Sequence, residues 1–180
     1  MTDTTQQFDT ALALCRNVFT AKLADYGPSW RILRPAAVTD QIFIKAKRIR
    51  SLETKGCSAV GEGILPEFIA IVNYGIIGLI QLELGASDTK DIGADTAVEL
   101  YDRYVAATRT LMLAKNHDYD EAWRMMRVLS YTDLILMKIE RTKEIEDHCG
   151  QTLVSEGIDA NYMDMVNYAV FGIIKLTENA

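Results

Sequence analysis

The sequence is poor in the residues that usually announce a chemistry. It has three cysteines and two histidines in 180 residues. Cys15, Cys57 and Cys149 are an odd number without metal-ligand spacing, and they read as reduced thiols of a cytosolic protein. His117 and His148 receive no ligand role. Basic residues are outnumbered, 19 Lys and Arg against 25 Asp and Glu, for a net charge of −6. A nucleic-acid duplex needs a basic face, so that class of partner is excluded, though a local basic pocket is not. There is no glycine-rich phosphate loop, no nucleophile with a matching base, and no stretch of sustained strand alternation. The segment from Met1 to Gln7 has neither the basic nor the apolar part of a secretion signal, which predicts a cytoplasmic protein. The longest apolar run, Ile64 to Leu82, is about long enough to span a bilayer. It carries Glu67, Asn73 and Gln81, so it is read as a buried core helix and no membrane partner is expected.

What the sequence does have is a second copy of itself. Lys22, Asp25, Tyr26, Trp30 and Arg31 form the pattern K-x-x-D-Y-x-x-x-W-R. Lys115, Asp118, Tyr119, Trp123 and Arg124 form it again, 93 residues later. Arg34 then matches Arg127, Asp40 matches Asp133, and Lys45 and Arg48 match Lys138 and Arg141. One residue is inserted after that, and Glu62, Val72, Asn73 and Tyr74 match Glu156, Val166, Asn167 and Tyr168. A unit of roughly 85–95 residues has been duplicated in tandem. Residues 1–85 form the first helical repeat, 86–93 a polar linker and 94–180 the second repeat. One such unit is marginal alone, so two packed face to face as an intramolecular pseudo-dimer are expected.

Hydrophobic periodicity predicts helices throughout. The first covers Asp9 to Ala24, with Phe8, Leu12, Cys15 and Phe19 on one face. A turn piece carries Trp30, and Pro35 is read as its end. Thr39 or Asp40 is read as the cap of a helix that runs to about Leu52. A third helix follows from Ile64 to about Leu84, with Pro66 in its first turn. The second unit repeats this plan over about 96–117, 131–147 and 159–177. The expected fold is all-α, two tandem helical repeats packed as a pseudo-two-fold bundle in one body, with the third and last helices central.

Three groups of residues are candidates for chemistry. Lys45 with Arg48, and Lys138 with Arg141, share a helix face and suit phosphate, a fork and a point charge together. A solvated charged face is the plainer reading. Tyr26 with Trp30, and Tyr119 with Trp123, suit a stacked nucleobase, or else close the bundle end as packing residues. Asp25 and Asp118 precede these tyrosines and are read as caps of the turn piece. Arginines and aromatics recur together, so Arg48 and Arg141 are expected in a cleft with one of these rings. Among the acids, Glu156 and Asp164 lie on one helix face about 12 Å apart. That is too far to hold one Mg²⁺ unaided, and a third ligand from the preceding helix, Glu140 or Glu146, is required. Ala160 stands where a middle acid would be. The first repeat offers Glu62, Pro66 and Ala70 at the equivalent places, so any metal is expected in the second.

With those residues in place, the repeat resembles the nucleotide modification associated domain 1 family. Lys115, Asn116, Asp118, Tyr119 and Trp123 fit its first motif, with Asp120 where the family has Gly. The first repeat has Gly27 there but Leu23 in place of Asn. Asp133, Lys138 and Arg141 fit the second motif, as do Asp40, Lys45 and Arg48. Glu156, Asp164 and Tyr168 fit the third, without its middle acid. The resemblance implies a nucleotide or another phosphorylated small molecule as partner, and a homo-oligomer is compatible with it. The family is distantly similar to the all-α nucleoside triphosphate pyrophosphohydrolases of MazG and dimeric dUTPase type, which implies Mg²⁺ as cofactor, with Glu156 and Asp164 as catalytic metal ligands. The alternatives are a binding or regulatory module with a decayed metal site, and a helical scaffold. The residues leave open whether the chain is an enzyme.

Overall fold

The computed structural model describes residues 3–56 and 63–178; Cys57 and Glu62 lie outside them. Six helices run in chain order: α1 (Thr4–Tyr26), α2 (Pro35–Lys55), α3 (Leu65–Leu84), α4 (Ala94–Tyr119), α5 (Val128–Asp147) and α6 (Ile158–Glu178). A 3₁₀ turn, Ser29–Ile32, joins α1 to α2, and another, Ala122–Met125, joins α4 to α5. No strand occurs among the described residues. The two sets of helices fall on each other at the repeat offset.

Local chemistry sets the ends. Asp3 accepts a hydrogen bond from the Thr5 amide at 3.0 Å, so α1 begins well before Asp9. Pro35 does not end the turn piece; it opens α2 at the first helical position, where its fixed φ and missing N–H cost nothing. Thr39 and Asp40 are therefore inside the helix rather than capping it. Asp25 and Asp118 lie in the last turns of α1 and α4, exposed, and neither caps a 3₁₀ turn. Gly27 closes α1 with φ +70°, a conformation open to glycine. Its counterpart Asp120 takes φ 47°, and Glu121 follows at φ 57°.

The helices stack in three layers of two. α3 and α6 form the middle layer and make the most extensive contact in the molecule. α2 and α5 cover one side, and α1 and α4 the other. Each layer is closed across the repeats by a contact made twice. In the middle, a Cβ on Gly78 would lie 2.8 Å from the Tyr162 ring, and one on Gly172 would lie 3.0 Å from the Phe68 ring. Glycine lets each helix approach the other's aromatic side chain. Between α2 and α5, Thr39 donates to Glu146 at 2.7 Å and Thr132 donates to Glu53 at 2.9 Å. Lys143 meets Asp40 at 3.2 Å, and Arg50 pairs with Asp133. Between α1 and α4, Arg16 meets Asp102 at 2.7 Å and Arg109 meets Asp9 at 2.6 Å. The exposed pairs contribute about 0.2–1 kcal/mol each; the apolar middle layer supplies most of the stability.

α3 is long and apolar enough to cross a membrane by composition, but most of it is buried inside this stack. It is the core helix that its polar residues predict.

Candidate functional site

The repeated motif builds the same pocket twice. In the first repeat Lys22, Tyr26 and Trp30 meet Ala70, Asn73 and Tyr74 of α3 around a cavity of about 540 Å³. In the second, Lys115, Tyr119 and Trp123 meet Asp164, Asn167 and Tyr168 of α6 around one of about 290 Å³. The second is smaller where Asp164 replaces Ala70 and Phe171 replaces Ile77. Both tryptophans are buried. Trp123 stacks on Phe171 with centroids 4.7 Å apart, and Trp30 lies 6.4 Å from Phe19. They are pocket walls set into the core, not free platforms. The exposed rings are Tyr26 and Tyr119, 48% and 69% accessible. Burial, then the neighbouring Tyr74 and the charge of Asp25, raise the pKa of the Tyr26 phenol. Burial alone raises that of Tyr74.

The arginine that ends each motif is structural. Arg31 is buried, meets Asp91 at 2.7 Å and donates to the Gly85 carbonyl at 2.7 Å. Arg124 lies 4.5 Å over the Trp123 ring and pairs with Glu121.

Among the described residues the basic pairs of α2 and α5 line neither aromatic pocket. Lys45 and Arg48 face Glu67 of α3, a buried carboxylate; Lys45 lies 3.4 Å from one of its oxygens and Arg48 pairs with the other. Lys138 faces Asp164 at 2.7 Å, and Lys115 reaches the other oxygen of the same carboxylate at 2.6 Å. Asp164 is thus held between two ammonium groups, at the point where the aromatic pocket of the second repeat abuts a second cleft. Desolvation lowers the Lys115 pKa, but the hydrogen bond and charge of Asp164, with the charge of Glu156, outweigh it and raise the pKa overall. Arg141 lines the adjoining cleft, about 730 Å³, with Lys138, Glu140, Glu144, His148 and Glu156. Three glutamates there outnumber the two cations, and among the described residues no Tyr, Trp or Phe lines it.

These positions do not fit the Mg²⁺ site. Both Asp164 oxygens are taken by lysines. Glu156 lies in the loop before α6 and not on a helix face with Asp164, and it and Glu140 are exposed on the walls of the other cleft. Glu146 is occupied by Thr39 across the layer. Among the described residues no three carboxylate, cysteine or histidine side chains converge to hold a metal. Mg²⁺ sheds its waters reluctantly and demands near-octahedral oxygen ligands, which a carboxylate clamped by two cations does not offer. Glu62 falls outside the described residues.

Two site elements escaped the sequence reading. The identity of Val72-Asn73-Tyr74 with Val166-Asn167-Tyr168 marked the repeat, and it also marked the far wall of each pocket. Glu67 stands out as a charge in an apolar run but leaves no signal in the repeat, because its counterpart is Asn161.

No curated protein and no solved structure matches the chain, so the likeness to MazG-type pyrophosphohydrolases finds no support there. A family model matches twice, over residues 22–82 and 115–176, in the register of the repeat. The two matched segments cover more than half of the sequence and contain most of the walls of both pockets: the chain belongs to the nucleotide modification associated domain 1 family.

Proposed function

We propose that this protein is a cytosolic nucleotide-binding module, which takes a base into an aromatic pocket built by its repeated motif. The observation that carries the reading is that the motif and the Asn-Tyr pair, matched between repeats, meet around a cavity in both. Rings at the rim and walls of a pocket, with a few polar groups, are the usual make-up of a small-molecule site. The family description points to nucleotides as the class. A Mg²⁺-dependent hydrolase is the weaker reading, since Asp164 is clamped by lysines. The scaffold reading draws on the clasps: Asp40, Asp133, Glu53 and Glu146 all serve the contact between repeats.

A thermal-shift panel of nucleosides, nucleoside monophosphates and triphosphates, with and without Mg²⁺, separates the three. A ligand that binds only the folded state at a hundred times its Kd adds about 2.7 kcal/mol of stability. We expect nucleotides to raise Tm, with no gain from Mg²⁺ and no phosphate release. A flat response to every compound would leave the scaffold reading; phosphate or pyrophosphate release that needs Mg²⁺ would restore the hydrolase.

A further inference from the structure

The duplication made two pockets, and their charges are no longer the same. In the second repeat the pocket lysine, Lys115, is spent on Asp164 inside the protein. The first repeat has Ala70 at that place, and among the described residues Lys22 makes no ion pair or hydrogen bond. Among the described residues Lys22 therefore has no counter-charge at this apolar, aromatic-walled cavity; Glu62, the counterpart of Glu156, lies outside them. Lys90 meets the chain at Tyr26 and Gly27, which line this cavity. Its Nζ donates to the Tyr26 carbonyl at 3.0 Å and lies 3.7 Å from where a Gly27 Cβ would be. Asp25 is the acid near this rim, and its charge is felt by Tyr26. The other basic pair of the repeat, Lys45 and Arg48, faces Glu67. Volume favours the same pocket: about 540 Å³ lies inside the 300–1,000 Å³ range of ligand sites, and about 290 Å³ falls at its lower edge.

We infer that the first-repeat pocket is the ligand site and takes a flat aromatic ring bearing one anionic group, of the nucleoside monophosphate kind, with Lys22 as counter-ion, while Asp164 closes the second pocket to such a ligand. This deepens the nucleotide reading and rests on it. The ring would enter beside Tyr26 and Tyr74, in a cavity to whose walls the described residues bring no carboxylate to repel the phosphate. Lys22 on the wall, with Lys90 against Tyr26 and Gly27, matches one phosphate; among the described residues the wall offers no further cation for a triphosphate.

The test is calorimetric titration of the full chain with AMP and UMP, and with adenosine and uridine as uncharged controls. We expect one site per chain, with the monophosphate bound more tightly than its nucleoside. Lys22→Met alters an exposed side chain and should leave folding intact. It should weaken the monophosphate about tenfold, as for the loss of one charge-assisted hydrogen bond, and leave the nucleoside unchanged. Tyr26→Ala should weaken both, and Tyr119→Ala neither. Ala70→Asp, which gives Lys22 the partner that Lys115 has, should reproduce the effect of Lys22→Met. Two sites per chain, or binding lost in Tyr119→Ala and kept in Tyr26→Ala and Lys22→Met, would overturn this assignment while leaving nucleotide binding standing. No binding of any of the four compounds would overturn the assignment, and a flat response across the wider thermal-shift panel would take the nucleotide reading with it.

Discussion

Lys45 and Lys138 hold the same place on α2 and α5, yet they are neutralised from different positions. Lys45 looks to Glu67 at 3.4 Å, Lys138 to Asp164 at 2.7 Å, and the two acids are not counterparts in the repeat. The contacts between repeats behave differently. Thr39 with Glu146 and Thr132 with Glu53 are mirror images, as are Arg16 with Asp102 and Arg109 with Asp9. Each clasp occurs as two separate pairs related by the pseudo-two-fold axis, and both pairs keep the same chemistry. A pocket residue serves one pocket. The two pockets differ accordingly: one is open at Ala70 and Ile77, and the other holds Asp164 and Phe171 at the same places.

The sharpest way to break the comparison is to remove the two acids in turn. Asp164→Asn leaves Lys138, whose side chain is only 10% exposed, without its counter-charge. Uncompensated buried charge is costly, and we expect a loss of about 3 kcal/mol in urea unfolding. Glu67→Gln should cost only about 1 kcal/mol, because Lys45 and Arg48 are about 30% exposed and can turn to water. Equal costs would show that the two repeats neutralise their cations equivalently after all.

The middle layer gives the symmetric control. Gly78→Val and Gly172→Val each drive a side chain into an aromatic ring of the other helix, from starting distances of 2.8 and 3.0 Å. Overpacking of this kind costs about 2 kcal/mol. The two losses, read by thermal or urea unfolding, should agree within about 0.5 kcal/mol. If one variant is silent, the crossing is not the reciprocal contact described.

The fold was legible because the repeat fixed the register and hydrophobic period fixed the helices. Phe8, Leu12, Cys15 and Phe19 are all buried, as their spacing predicts. The ends were less so: Pro35 is as able to start a helix as to stop a turn, and only the chain on either side decides. The aromatic pocket was half legible, since Lys22, Tyr26 and Trp30 announce themselves but Asn73 and Tyr74 arrive from α3. The acids were misjudged for a geometric reason. Glu156 falls in the loop before α6, and Lys115 and Lys138 reach Asp164 from two other helices. Spacing within a helix cannot report what crosses between helices.

A smaller difference between the repeats lies in the turn after the first helix. Gly27 makes it in one copy, and Asp120 with Glu121, both at positive φ, make it in the other. Aspartate tolerates this region better than most residues but still pays a steric cost there. Asp120→Gly should raise stability by about 0.5 kcal/mol, with the gain in chain freedom on unfolding offsetting part of the relief. A loss instead would mean that the Asp120 side chain holds the second turn in place.

The smallest effect concerns pH, and it tests the reciprocal clasps. Burial raises the pKa of Glu53 and of Glu146, with Thr132 and Thr39 opposing it through their hydrogen bonds. A carboxyl whose pKa is higher in the folded chain holds its proton to higher pH than it does unfolded. Between the ordinary Glu value and the raised one, the folded state binds more protons, so stability falls as pH rises through that window. Most carboxylates paired with a cation would slope the other way. Urea midpoints measured across the acid range should therefore show a shallow contribution of this sign, alike for both clasps because they are built alike. Glu53→Gln and Glu146→Gln should each remove about half of it. Glutamine still offers an oxygen to the threonine hydroxyl, so neither variant should lose much stability at neutral pH. If Glu146→Gln alone flattens the slope, the charge of Asp40, which also raises the Glu146 pKa, outweighs burial, and the two clasps are equivalent in geometry without being equivalent in electrostatics.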